Sequence, residues 1–107
     1  MTITAAYRTA PDYAAAVTAD LHNLPTGRLT SRENAAHIFT NRLDDLTAWL
    51  TARGGYTTHE RAAGDLTNWT LRTSTEPRAD GTSTPVLVHA QALTHEPVPA
   101  ELTAALA

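Results

Sequence analysis

The chain has 107 residues, a formal net charge of −3, no Cys, and eight basic residues that are all Arg. The missing Cys excludes disulfides, thiolate catalysis and Cys-ligated metals, and the missing Lys excludes a P-loop lysine and Schiff-base chemistry. The length fits one α+β domain over residues 1–107, with 1–8 read as a flexible lead-in.

Leu, Ile, Val and Phe together number 19, against 20 Ala and 19 Thr. So few large aliphatics predict a thin core, and a homodimer would add the missing apolar burial. Arg without Lys, beside excess Ala and Thr, is what GC-rich coding produces. Met1 to Arg8 show no basic region leading into an apolar run, so no signal peptide is expected. No apolar run approaches the ~20 residues of a membrane span. A cytoplasmic location follows as the expectation.

In chain order, the first predicted helix covers about Ala10 to Leu24. Thr9 serves as its N-cap, Pro11 sits in the first turn, and Tyr13, Val17, Leu21 and Leu24 form its apolar face. Pro25-Thr26-Gly27 stops it. A second, longer helix is predicted from about Ser31 to Arg53. Thr30 and Glu33 match a capping box, and Ala35, Ile38, Phe39, Leu43, Leu46, Trp49 and Leu50 make the stripe. Gly54-Gly55 ends it.

The period then changes from helical to alternating. Strands are predicted over Tyr56 to Ala62, from Leu66 to about Ser74, and from Pro85 to Thr94, with a polar loop between the last two. Thr67, Trp69, Leu71 and Thr73 share one face of their strand; Val86, Val88, Ala90 and Ala92 share one face of theirs. Pairing Trp69 with Ala90 brings Leu71 to Val88 and Thr73 to Val86, large against small. The other face then pairs Asn68 with Gln91, Thr70 with His89 and Arg72 with Leu87. Residues Pro99 to Leu106 read as a short C-terminal helix. The expected fold is two N-terminal helices packed on a three-stranded antiparallel meander. Trp49 and Trp69 are expected to be buried.

No catalytic constellation emerges. His22, His37, His59, His89 and His95 lack metal-ligand spacing, and His59-Glu60 point to opposite faces of a strand. Adjacent acids such as Asp44-Asp45 diverge on a helix and make no dyad. Neither G-x-S-x-G nor S-x-x-K occurs, and no glycine-rich loop precedes a helix. No cofactor, metal or catalytic residue is therefore predicted. The candidate binding surface is the outer hairpin face of Asn68, Thr70, Arg72, Leu87, His89 and Gln91. The candidate interface is Phe39, Leu43, Leu46 and Trp49 on the long helix. The connection from Ser74 to Thr84 is long enough to be either functional or loose.

These features favour a non-enzymatic protein-binding or self-associating module, such as a regulator, accessory subunit or inhibitor, with a homodimer as the expected state. Two alternatives stand beside it. The order α-β-β-β-α is that of a double-stranded-RNA-binding domain, and the first two helices could form a helix-turn-helix. Nucleic-acid binding is disfavoured by the charge and by Val98-Pro99-Ala100-Glu101, where such a domain needs basic residues. The other alternative is a small enzyme using His89 and Arg72 on the sheet face.

Overall fold

A computed structural model describes residues 10–107. The flexible lead-in expected over 1–8 and the Thr9 cap lie outside the described residues. Three helices and five strands follow in the order α1 (Pro11–His22), β1 (Arg28–Arg32), β2 (Ala35–Thr40), α2 (Leu43–Arg53), β3 (Tyr56–Arg61), β4 (Leu66–Ser74), β5 (Pro85–Leu93) and α3 (Ala100–Ala104). The strands form one mixed sheet, ordered β1-β2-β5-β4-β3. β2 and β5 run parallel; every other neighbouring pair is antiparallel.

This corrects the expected three-stranded meander with two N-terminal helices. The error lies in one segment. Residues 31–40 do not open a long helix; they complete a hairpin, and only Leu43–Arg53 is helical. Glu33 and Asn34 both adopt positive φ, 54° and 64°, as the two central residues of a tight hairpin turn. Glu33 thus belongs to a turn, not to a capping box. In β2, Ala36 and Ile38 point inward and are buried, while His37 and Phe39 point outward. The same residues satisfy a helical stripe and a two-residue alternation, so periodicity alone misassigned them.

The helix that does form begins after a short polar bracket. The Thr40 hydroxyl donates to the Asp45 carboxylate and accepts from the Arg42 amide at 3.3 Å. Asp44 and Asp45 then occupy the first turn, where negative charge suits the helix dipole. At the other end the Gly54 amide donates to the Leu50 carbonyl at 2.7 Å. Gly55, at φ 111°, passes so close to β4 that a Cβ would lie 2.1 Å from the Arg72 carbonyl oxygen. No other residue type fits there without moving the strand.

The three described helices cover one face of the sheet. α1 lies over β1 and β2, α2 over β4 and β5, and α3 against β3 and α2. Between the layers Ile38, Val86, Val88, Leu71, Leu46, Trp49 and Leu102 are fully buried, and Trp69 is 6% exposed. Both tryptophans are therefore core residues, as their positions predicted. The Trp49 indole N–H also donates to the Pro25 carbonyl at 2.7 Å, tying α2 to the connection after α1.

α1 presents a different face from the one its Leu and Val residues suggested. Ala15, Thr18 and Ala19 are buried, whereas Val17 is 42% and Leu21 68% exposed. Small residues face the sheet because they let the helix approach it closely. The free sheet edges are also managed. Thr57 of β3 bonds through its backbone to Ala105 and Ala107, so the C-terminal segment covers part of that edge. β1 is five residues long and carries Arg28 and Arg32, a composition that discourages strand addition.

Candidate functional site

Because every described helix lies on one side, the opposite face of the sheet carries no helix or loop layer among the described residues. The strand registers align its outward side chains in rows that cross the sheet. One row runs Arg28, Phe39, His89, Thr70, Thr58 across all five strands. The next runs Thr30, His37, Leu87, Arg72, Tyr56. A shorter row of Gln91, Asn68 and Glu60 follows beyond the C-terminal end of β2.

The first row is held by directional contacts. The Arg28 guanidinium sits 4.9 Å from the centre of the Phe39 ring, and the His89 ring stacks on Phe39 with centroids 4.9 Å apart. Arg28 and His89 belong to strands on opposite sides of β2, so both faces of the Phe39 ring are taken. His37 and His89 are coplanar within 3°, with centroids 5.2 Å apart and His37 Nδ1 2.9 Å from His89 Nε2. That is an edge-to-edge imidazole hydrogen bond. The other nitrogen of His89, Nδ1, lies 3.1 Å from the Thr70 hydroxyl. Residues 37, 70 and 89 thus form one hydrogen-bond chain across β2, β5 and β4.

A hydroxyl, an imidazole and a third group orienting that imidazole form the pattern of an activated nucleophile. The electrostatics work against that use. Burial, and after it the positive charge of His37, Arg72 and Arg32, together push the His89 pKa down to about 4. A general base is most effective with a pKa near the working pH. His89 would take a proton from Thr70 poorly, and the imidazolium formed would face two arginines. Among the described residues no three His, Asp or Glu side chains converge as metal ligands.

The sequence-predicted binding residues meet on this face in the predicted register: Asn68 opposite Gln91, Thr70 opposite His89, Arg72 opposite Leu87. The candidate interface residues separate. Leu43, Leu46 and Trp49 are 6%, 0% and 0% exposed in the core, so they offer no contact surface. Phe39 alone reaches the surface, from a strand and on the opposite side of the sheet. Sequence reasoning missed Arg28, His37 and Phe39 as neighbours of His89 because it placed them before or within a helix. The available signal was Glu33-Asn34 between two alternating segments.

The face is also charged differently from the rest of the chain. Among the described residues Arg28, Arg32 and Arg72 point outward against the single acid Glu60, a balance of +2, while the whole chain carries −3. The remainder is therefore at −5. Beside the first row a cavity of about 510 Å³ opens, lined among others by Phe39, Thr70, His89, Asn68, Gln91 and Glu60.

A second polar cluster lies at the edge of the helical layer. The Arg53 guanidinium donates to the Ser74 and Thr75 carbonyls at 3.1 and 2.9 Å and to Glu76 Oε1 at 3.1 Å. Glu76 also pairs with His22, and its amide donates to the buried Thr18 hydroxyl at 2.9 Å. The His22 bond, with the charge of Arg53 after it, lowers the Glu76 pKa. The 74–84 connection is pinned further by Thr75–Thr84 backbone pairing and by Arg78 bonds to Thr82 and Thr84. This cluster fastens α1, α2 and the connection together. The chain matches no known protein family, no curated protein and no solved structure. Among the described residues no helix is long and apolar enough to cross a membrane.

Proposed function

We propose that this protein is a non-enzymatic binding module whose open sheet face docks an acidic protein surface. The observation that carries the reading is the face that no described residue covers, on which Arg28, Phe39, His89 and Thr70 are locked in one row. A row already ordered loses little side-chain freedom on binding, so more of the contact energy appears as affinity. Phe39 and Leu87 supply apolar contact between Arg28, Arg32 and Arg72, an arrangement of aromatic and Arg anchors common at interface centres.

Charge argues for a different protein and against a second copy. A twofold face-to-face pairing would set three arginines against the same three, and like charges across an interface are costly. Nucleic acid is supported less. A base needs a free ring face to stack on, and those of Phe39 are occupied by Arg28 and His89. Three arginines also neutralise few phosphates.

The test compares capture of host proteins by the wild type, by the pair Arg28→Glu/Arg72→Glu, and by Val17→Ser on the helical side. The expected result is an acidic protein retained by wild type and Val17→Ser and lost by the charge-reversed pair, with binding that weakens as salt rises. Capture that survives charge reversal would overturn the reading. So would sedimentation equilibrium showing a dimer that the same pair dissociates, or retention of nuclease-sensitive material in place of protein.

A further inference from the structure

The cavity of about 510 Å³ has a chemistry of its own, distinct from the arginine-rich part of the face. It forms because β2 ends at Thr40, while β5, β4 and β3 run on past it. Gln91, Asn68 and Glu60 stand side by side beyond that end, one strand spacing (about 4.8 Å) apart. Among the described residues none of these three side chains makes a hydrogen bond to a protein side chain or backbone. The neighbouring polar groups differ in this respect, since both nitrogens of His89 are engaged.

We propose that this cavity is a binding subsite for neutral saccharides, with Glu60, Asn68 and Gln91 as its hydrogen-bonding row. The two amides each present a carbonyl acceptor and an NH₂ donor, and the carboxylate presents acceptors only. A ligand meeting all three must both donate and accept along one edge. Sugar hydroxyls do this, each being donor and acceptor, and a planar amide or carboxylate can span two vicinal hydroxyls. The carboxylate of Glu60 repels anions, which excludes phosphorylated and carboxylated ligands from this end of the face. A planar heterocyclic base would match the same edge, but it would lack an aromatic face to stack on, because both sides of Phe39 are covered. The exposed edge of Phe39 is left as an apolar wall for the C–H groups of a sugar ring. The open, shallow shape suits a hydrated ligand held by several modest bonds.

The test is a titration of the isotope-labelled full chain followed by amide NMR, with glucose, galactose, mannose, N-acetylglucosamine, maltose and cellobiose as probes. 9-Methylguanine and inorganic phosphate are the controls. The side-chain NH₂ signals of Asn68 and Gln91 report directly on the site. At least one saccharide should shift both, with a Kd on the order of 1–10 mM. Asn68→Ala and Gln91→Ala should each weaken that binding at least about fivefold, and Arg72→Ala should leave it unchanged. Both amides project from the open face, so the variants spare the core, and an unchanged backbone spectrum verifies this. The proposal fails if no saccharide shifts these signals at about 100 mM, if the shifts persist in both variants, or if 9-methylguanine binds and the sugars do not. The docking reading is tested by charge reversal at Arg28 and Arg72, so either proposal can fail alone.

Discussion

The two faces of the sheet are built from the same strands and held by different forces. On the helical side Ile38, Leu71, Val86 and Val88 are fully buried and held by close packing. On the open side Phe39, His89 and Thr70 are half-buried and held by a ring stack and hydrogen bonds. Packing rewards volume and tolerates no gap; directional contacts fix geometry and contribute little stability at a wet surface. Stability should therefore sit on the helical side, leaving the open side free to specialise for binding.

Trp49→Ala should break the inner layer most severely. It empties the largest fully buried side-chain volume and leaves the Pro25 carbonyl without its donor. The expected cost is about 3–5 kcal/mol, enough to unfold much of a small domain. The matching change on the other face, Phe39→Ala, should cost only about 1 kcal/mol, since that ring is partly wet. Urea unfolding of both variants measures the difference. Equal losses would show that the open face is as structural as the core.

Arg53→Ala should come next, at roughly 2–3 kcal/mol. The guanidinium is mostly buried, at 18% exposure, and donates to the Ser74 and Thr75 carbonyls as well as to Glu76. Its loss leaves two carbonyls of the strand exit unpaired. Arg53→Lys should recover only part, because an ammonium cannot reproduce the planar fork. Full recovery in Lys would reduce the contact to simple charge.

How much of this was legible in the sequence differs between the two ends of the sheet. The β4–β5 pairing was readable because Trp69, Leu71, Val86 and Val88 alternate cleanly with Asn68, Thr70, Leu87 and His89, and a hairpin is a local problem. That alternation also placed Thr70 and His89 together. β1 and β2 were not readable, because Ala35, Ala36, Ile38 and Phe39 fit a helix as well as a strand. Their assignment is decided by β5, whose parallel pairing supplies the partner for Ile38 and Phe39 from fifty residues away. Glu33-Asn34 hints locally at a hairpin turn, but no local pattern names β5 as the parallel neighbour of β2. The His37–His89 bond depends on that pairing, so half of the candidate site was hidden for the same reason as half of the sheet. In α1 the mistake was of another kind: the strongest hydrophobes do not mark the buried face when close approach selects Ala and Thr.

Acid should sharpen the comparison, because His89 couples the open face to folding. An unfolded His takes up its proton near pH 6.5, whereas the folded His89 does so only near 4. Between these values the unfolded chain binds more protons, so this contribution is complete above about pH 6.5 and is lost as the pH falls toward 4. Discounted for the ring's partial exposure, the loss is on the order of 1–2 kcal/mol. Glu76 and Asp80, whose carboxyls are held below their ordinary range by bonds to His22 and Thr82, add their losses at the acid end of this window and beyond it. His89→Gln removes the titrating group while keeping partners for Thr70 and His37. Its stability should be flat between about pH 5 and 6.5, where the wild type declines. A parallel decline in both would assign the effect to another group.

The smallest expected effect on stability is at Arg28, and it separates the two faces most cleanly. The side chain is exposed, and among the described residues its one directional contact is with the Phe39 ring at 4.9 Å. Such a cation–π contact in water contributes about 0.5–1 kcal/mol, so Arg28→Ala should lower stability by no more than that. The consequence for docking should be larger than the consequence for folding. Without the guanidinium, Phe39 loses the group covering one of its faces, and the open face loses one of its three outward arginine charges. Arg28→Lys retains the charge but not the flat stacking surface. A partner recognised by charge alone would bind Arg28→Lys like the wild type. One that reads the ordered Arg28–Phe39–His89 row would bind it more weakly, approaching Arg28→Ala. Measuring both variants against the captured partner, with urea unfolding alongside, decides which applies. A drop in stability much beyond 1 kcal/mol for either variant would mean that the row also holds β1 on the sheet, and the division of labour between the two faces would not stand.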